Sequence, residues 1–242
     1  MDILAMQELA HRVSAEYEKR SPEALLEWAV RQIERLTLAC SFGAEDVVLL
    51  DMVHRIHPGM DIFYLDTDFH FKETYETRDQ LSERYGMKFI PVHPGITPEE
   101  QAARHGNQLW HTDPDLCCHI RKVLPLANTL TRYDAWITGI RRDQSPTRAS
   151  AEKVEYDAKF GLIKLNPLAS WKQEDVWHYI RTHHVIYNPL HDLGYPSIGC
   201  TYCTRPVKPG EDSRAGRWSG KPKTECGLHL DYDPARSRNE RK

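Results

Sequence analysis

The chain has 242 residues, a length for one or two domains, and 32 Lys/Arg against 35 Asp/Glu, a net charge of -3. That balance excludes wholesale electrostatic binding to nucleic acid, and no apolar run approaches the roughly 18 residues of a membrane span. The start, Met1-Asp2-Ile3-Leu4, lacks the basic stretch of a secretion signal, so a cytoplasmic protein with no membrane partner is expected.

Residues 1 to about 35 read as two polar amphipathic helices broken at Ser21-Pro22, where Ser caps and Pro takes the first helical position. Leu36 to Cys40 has the length and apolarity of a strand. The loop Ser41-Phe42-Gly43-Ala44-Glu45-Asp46 follows, then Val47 to Ile56, too apolar for a surface helix. A glycine loop at a helix N-terminus offers backbone N–H groups to an anion or nucleotide, a weak signal by itself. The pattern repeats with a strand at Asp61 to Leu65, the turn Asp66-Thr67-Asp68 and a charged helix from Phe71 to Tyr85. Met87 to Val92 makes a third strand and Asp134 to Ile140 a fourth, after a helical region from about Ile120 to Leu130. Alternating strands and helices predict an α/β fold, a parallel twisted sheet covered on both faces, with ligands at the carboxyl ends of the strands.

Gly139 to Arg148 is a loop with three arginines, whose guanidinium groups suit phosphate or sulfate oxygens; the plainer alternative is a solvated turn. Glu152 to Tyr156 and Gly161 to Leu165 form either a hairpin or two late edge strands. Ser170-Trp171-Lys172-Gln173 has the spacing of a capping box and opens a helix through about Ile180, and Asn188-Pro189 closes that region. From Arg205 to Lys242 ten Lys/Arg face six Asp/Glu, and Pro206, Pro209, Gly210, Gly216, Gly220 and Pro222 interrupt any core period. Two units are therefore expected: residues 1–204 as the body and residues 205–242 as a flexible arm.

Six cysteines punctuate this plan. Cys117 and Cys118 are adjacent, with Cα atoms about 3.8 Å apart, shorter than the roughly 5.5 Å of a relaxed disulfide. A second close pair, Cys200-Thr201-Tyr202-Cys203, comes 82 residues after Cys118. In a reducing compartment two close pairs point to ligation, by a tetrahedral zinc ion or an iron–sulfur cluster, with buried inert thiols as the alternative. Cys40, at a strand end, reads as a small buried hydrophobe. Cys226 stands apart on the basic arm, where nearby cations favour the nucleophilic thiolate. The histidines at 111, 119, 183, 184 and 191 are expected at the surface.

Taken together, Cys117-Cys118 with Cys200-x-x-Cys203, the run Gly139-Ile140-Arg141-Arg142-Asp143-Gln144-Ser145 and the ending Glu225-Cys226-Gly227-Leu228-His229 resemble the assimilatory sulfonucleotide reductases. The four cysteines place the resemblance on the cluster-containing adenylyl-sulfate (APS) branch, because the related phosphoadenylyl-sulfate (PAPS) reductases usually lack them. The first loop is similar to that of the ATP pyrophosphatase group, Ser-Gly-Gly-x-Asp-Ser, and departs from it at Phe42, Glu45 and Asp46. The implied fold is adenine nucleotide alpha hydrolase-like.

The resemblance implies a [4Fe-4S] cluster on Cys117, Cys118, Cys200 and Cys203, although zinc would satisfy the same sulfurs. It implies that Cys226 attacks the sulfur of APS, that AMP leaves, and that thioredoxin or glutaredoxin releases sulfite from the S-sulfocysteine. It also implies a homo-oligomer. The implied substrate contacts are Ser41, Phe42 and Gly43, then Asp66 and Thr67, then Gly139, Arg141, Arg142 and Gln144, with Arg214 and Arg217 from the arm. Lys122 and His229 complete the catalytic set. If a helix begins near the tandem pair, Lys122 lies four residues after Cys118 on the same face, within reach of both cluster and phosphosulfate. Three other functions stay open: a PAPS or dual-substrate reductase, a zinc-binding RNA-thiolation enzyme, and a non-catalytic zinc module. The missing second glycine of the loop and the Glu225-Cys226 ending count against RNA thiolation.

Overall fold

The structure is a computed structural model and describes residues 2–229. Two helices, α1 (Ile3–Tyr17) and α2 (Pro22–Gln32), precede the sheet, and Ser21 caps the second by accepting from the Ala24 amide at 3.3 Å. The first βα unit is β1 (Leu36–Ala39) and α3 (Ala44–Ile56); the second is β2 (Asp61–Leu65) and α4 (Lys72–Tyr85). Next come β3 (Ile90–Val92), α5 (Pro98–His105) and two short helices, α6 (Leu109–Thr112) and α7 (Pro114–Cys118). After α8 (Leu124–Leu130) the chain forms β4 (Ala135–Ile137), β5 (Val154–Asp157), β6 (Leu162–Leu165) and α9 (Gln173–His183).

The six strands lie in the order β3-β2-β1-β4-β6-β5, all parallel except the edge strand β5, which runs antiparallel to β6. Leu38 of β1 sits opposite Ile62 on one side and Ile137 on the other, which centres the core on β1. The apolar run of α3 is explained by its burial: Val47, Val48, Leu49, Leu50, Met52 and Val53 are all inaccessible to solvent. Each such side chain stabilises the fold by about 1.5–3 kcal/mol relative to exposure. The expected hairpin of β5 and β6 forms, but of the two only β5 is an edge strand; β6 is wholly buried and pairs with β4 on its other side.

Two expectations about local structure need correcting. The Ser170 capping box is absent, because residues 166–171 form tight turns in which the Ala169 amide bonds to Asn166 and that of Trp171 to Leu168. The helix opens instead after Lys172, whose amide donates to Asp175 at 2.8 Å. The helix around the cysteine pair begins earlier than Ile120, at Pro114, where Asp113 accepts from the Leu116 amide at 3.1 Å. It then widens into a π-helical segment over His119–Val123 before α8 resumes. The extra residue in that turn lets Arg121 and Lys122, consecutive in sequence, both be buried on one side.

Among the described residues, no helix is long and apolar enough to cross a membrane. The described part of the arm, residues 205–229, lies against the body. Thr204 bridges to Arg217, the Trp218 amide donates to Cys203 at 3.0 Å, and the Trp218 side chain is buried. The remainder of the expected arm, residues 230–242, falls outside the described residues.

Candidate active site

A cavity of about 740 Å³ opens at the carboxyl ends of β1, β2 and β4. Its walls include Ser41, Gly43, Thr67, Gly139, Arg141, Gln144 and Lys122 from the body, and Arg214, Arg217, Cys226 and His229 from the arm. These predicted residues reach from Ser41 to His229 in sequence, and the fold brings them to one place at the strand ends.

The first loop is tied down from within. Asp46 accepts from both the amide and the hydroxyl of Ser41, each at 2.6 Å, and burial raises its carboxyl to about 6. Gly139 must be glycine here, since a Cβ would stand 2.3 Å from Asp46 Oδ1. Phe42 adopts a left-handed backbone (φ 61°), and its ring leaves the cavity to pack on Phe89 and Tyr64 at 5.2 and 5.5 Å. It anchors the loop rather than lining the cavity. Asp66 also lies outside the wall, accepting from the Tyr75 hydroxyl at 2.7 Å, while its neighbour Thr67 faces inward.

The arginine loop divides its guanidinium groups between two tasks. Arg141 is buried, with Nε on Glu45 at 2.9 Å and Nη1 on Asp143 at 3.0 Å, and it borders the cavity. Arg142 does not. The extended backbone at Arg141 turns its neighbour to the opposite side, where Arg142 forks onto Glu18 at 2.6 and 2.9 Å and donates to the Ala151 carbonyl. Arg148, in the same loop but without a role read from sequence, reaches the cavity wall and donates from Nη1 to Gln144 Oε1 at 2.6 Å.

Beside this cavity lies a smaller one lined by all four predicted ligands, Cys117, Cys118, Cys200 and Cys203, with Arg121 and Lys122. The first three cysteines are buried, Cys203 is half-buried, and all are free thiols. Burial, and then negative charge at Cys118, Cys200 and Cys203, pushes the Cys117 thiol up to about 12. Burial and the charges of Cys200 and Cys118 push Cys203 up to about 11. The four thiols therefore line one space, with the Lys122 ammonium beside them. Donors surround them: Thr67 Oγ1 lies 3.4 Å from the Cys200 sulfur, and Gln101 Nε2 3.9 Å from that of Cys117. Arg121 stacks on Phe69 and leaves Nε and Nη2 buried without a partner, as does Trp218 its Nε1. Soft sulfurs ringed by spare N–H donors and two buried cations suit an anionic, thiolate-bound metal centre.

Lys122 lines both cavities. Burial alone would lower its pKa, but the charges of Cys200, Cys118 and Cys226 outweigh that and hold the ammonium protonated. Cys226 feels the converse. Burial raises its thiol, yet Lys122, the Leu228 amide and Arg217 together bring the pKa below its ordinary value. Arg217 can lie close because residue 199 is glycine: a Cβ there would stand 2.4 Å from its guanidinium. Burial, and then repulsion from Arg148, pull Arg214 down to about 10, against the attraction of its partner Glu225. His229 is not one of those cations. Burial and the charges of Arg148 and Lys164 keep its imidazole neutral, stacked 5.7 Å from the Trp136 ring. His191, expected at the surface, instead lines the cavity with both ring nitrogens buried.

Besides Arg148 and His191, two residues of this site carry no role readable from sequence. Glu225 accepts from Arg148 Nε and Nη2 at 2.9 and 2.8 Å and from Arg214 Nη2 at 3.1 Å, directly before the nucleophile candidate. Arg121 was hidden by the π-helical turn. Its adjacency to Lys122 after two cysteines was the available signal.

Comparison with known proteins agrees with this geometry. Residues 35–206 match the family described as the phosphoadenosine phosphosulfate reductase domain. The adenosine 5'-phosphosulfate reductase of Halalkalibacterium halodurans is 50% identical over 221 residues, covering 90% of this chain and 96% of that protein. Adenosine 5'-phosphosulfate reductase 1 of Bacillus subtilis is 48% identical, covering 85% and 89%. Among solved structures, the PAPS reductase of Candida auris in a phosphate complex superposes with a TM-score of 0.74 at 32% identity, over 82% of this chain and 97% of that one. An NAD synthetase from Campylobacter jejuni, 11% identical with a TM-score of 0.52 over 77% and 78%, shares the fold alone. The sheet order, the cavity at its strand ends and these matches together place the chain in the phosphoadenosine phosphosulfate reductase domain family.

Proposed function

We propose that this chain is an APS reductase, converting adenylyl sulfate to AMP and sulfite with electrons from a thioredoxin-type dithiol. The observation that carries this reading is Cys226, a thiol with a lowered pKa held inside the nucleotide-side cavity by the charges of Lys122 and Arg217. The names of the relatives from H. halodurans and B. subtilis support the substrate.

The nucleotide would sit over Ser41, Gly43, Thr67 and Gly139, with its phosphosulfate toward Arg141, Arg148, Arg214 and Arg217. The Cys226 thiolate attacks the substrate sulfur, the sulfur–oxygen bond to the phosphate breaks, and AMP leaves with the electron pair. Charge moves onto the leaving phosphate in that step, so fixed cations stabilise the transition state more than the bound substrate. His229, neutral, can donate or accept a hydrogen bond there without adding charge. One thiolate of the dithiol then attacks Cys226 Sγ and expels sulfite, and its second thiol resolves the mixed disulfide. A [4Fe-4S] cluster on Cys117, Cys118, Cys200 and Cys203 would supply a fixed anionic anchor joining the two segments. The expected setting is the reducing cytoplasm, where six free thiols persist.

Turnover of APS and PAPS side by side tests the substrate assignment. Sulfite release should require a dithiol and should show the higher kcat/KM with APS. An equal or better kcat/KM with PAPS would move the chain to the other branch.

A further inference from the structure

The Glu225 carboxylate receives more donors than any other group on the arm. Besides the two Arg148 bonds and one from Arg214, the hydroxyls of Thr147 and Ser145 lie at 3.2 and 3.4 Å. Its side chain is 7% exposed, and those of Arg148 and Arg214 are 11% and 14%. This is a desolvated, multiply bonded carboxylate, whose bonds are charge-assisted and whose removal leaves buried cations uncompensated. Through these noncovalent bonds it joins residues 145–148 and Arg214 to the chain next to Cys226. Further ties flank it. Lys223 pairs with Asp115, and Lys159 donates to the Gly227 carbonyl.

We infer that Glu225 is a positioning residue, a clamp that holds Cys226 in its attacking position during the first half-reaction and must release before the reductant can reach the adduct. The inference rests on the function proposed above. Two physical demands on Cys226 conflict. Attack needs the thiolate in the cavity beside Lys122 and Arg217, whereas reduction needs the same sulfur exposed to a second protein. Cys226 is only half-buried when docked, yet it lines the cavity wall, so a macromolecular dithiol approaches it only once the segment lifts. The clamp is also built from the cations expected to meet the phosphosulfate. A substrate anion drawing on Arg148 and Arg214 competes with Glu225 for the same donors, which couples the chemistry to the strength of the clamp.

The test uses Glu225→Gln, nearly isosteric but uncharged, and Glu225→Asp, charged but shorter. Two readouts are needed. The first is the rate of tryptic cleavage after Lys223 in full-length protein without substrate, which reports lifting of the arm and involves no sulfur chemistry. The second is a pair of single-turnover rates: formation of the S-sulfo adduct from APS, and its reduction by thioredoxin. Glu225→Gln should raise cleavage and lower adduct formation on the order of tenfold each, the least expected from losing one charge-assisted hydrogen bond, while adduct reduction stays equal or becomes faster. Glu225→Asp should fall between, and an unchanged visible spectrum and far-UV CD confirm an intact fold. Wild-type cleavage in Glu225→Gln overturns the clamp. So does faster cleavage with both half-reactions unchanged, or with both slowed equally. Failure of the underlying function looks different: no adduct would form in the wild-type protein, whatever the cleavage rate.

Discussion

Two sets of cysteines lie within one end of this molecule, and their surroundings give them opposite chemistry. Cys117, Cys118, Cys200 and Cys203 share a small buried space, where burial, and then the charges of neighbouring sulfurs, push Cys117 up to about 12 and Cys203 up to about 11. Cys226 stands on the other side of Lys122 among cations and is shifted down. Cys40 supplies a third case, buried in the core, where burial and then the charge of Asp46 push its thiol far up. Residue type is constant across the three. What differs is the balance of burial against nearby charge: cations outweigh burial only at Cys226, which fits that thiol for the proposed nucleophile, the four paired thiols for the proposed ligands and Cys40 for inert filler.

The comparison is broken most severely by removing the isolated thiol. Cys226→Ser should lower sulfite formation by a factor of roughly 10³ or more, since a hydroxyl is not ionised where the thiolate is. Melting temperature should stay within a few degrees of wild type, because Cys226 belongs to no packed cluster. Serine at any one of the four paired cysteines should act the other way round. Iron and sulfide content should drop, and thermal stability with it, since metal binding and local folding are coupled. Stoichiometric zinc with no sulfide in the wild-type protein would replace the cluster by zinc and leave the comparison standing on different chemistry.

Lys122, which faces both sets, sharpens the contrast. Lys122→Ala should cost roughly 10²-fold in kcat/KM, about 2.7 kcal/mol, with Lys122→Arg intermediate. The sign of the pH effect follows from its charge. Lys122 lowers the Cys226 pKa, so alkylation of Cys226 in the wild type should turn on below pH 9.0, the ordinary thiol value, and the midpoint should move upward in Lys122→Ala. Wild-type kcat/KM with an unmoved midpoint would make Lys122 a packing residue only. The smallest effect belongs to Arg142→Ala. This arginine pairs with Glu18 on a partly exposed face, so kcat/KM should hold within about twofold and stability should fall by no more than about 1 kcal/mol. A large loss in kcat/KM would return Arg142 to the substrate site.

Much of this arrangement was legible in sequence because it depends on short-range pattern. Strand-length apolar runs at 36–40 and 61–65, each followed by a polar turn, require parallel pairing and a common functional edge. The cysteine pairs announced themselves by spacing. The π-helical turn did not, since a 3.6-residue period predicts that two consecutive residues diverge, whereas Arg121 and Lys122 are buried together. Nor could adjacent Arg141 and Arg142 be told apart, because one extended residue before a tight turn sends them to opposite sides. The Glu225 clamp spans 77 positions to Arg148, and no local signal carries such a pairing. The segment 93–112 does carry a local signal, Thr97-Pro98-Glu99-Glu100, the capping box that opens α5.

The most direct measurement is the mass of the peptide containing Cys226 after the protein is incubated with APS in the absence of any dithiol. A covalent sulfonate on that cysteine adds about 80 Da, stalls there as an intermediate without its acceptor, and disappears with one equivalent of sulfite when thioredoxin is added. An adduct on another cysteine, or sulfite release by Cys226→Ser at the wild-type rate, would contradict the assignment of Cys226 as the nucleophile.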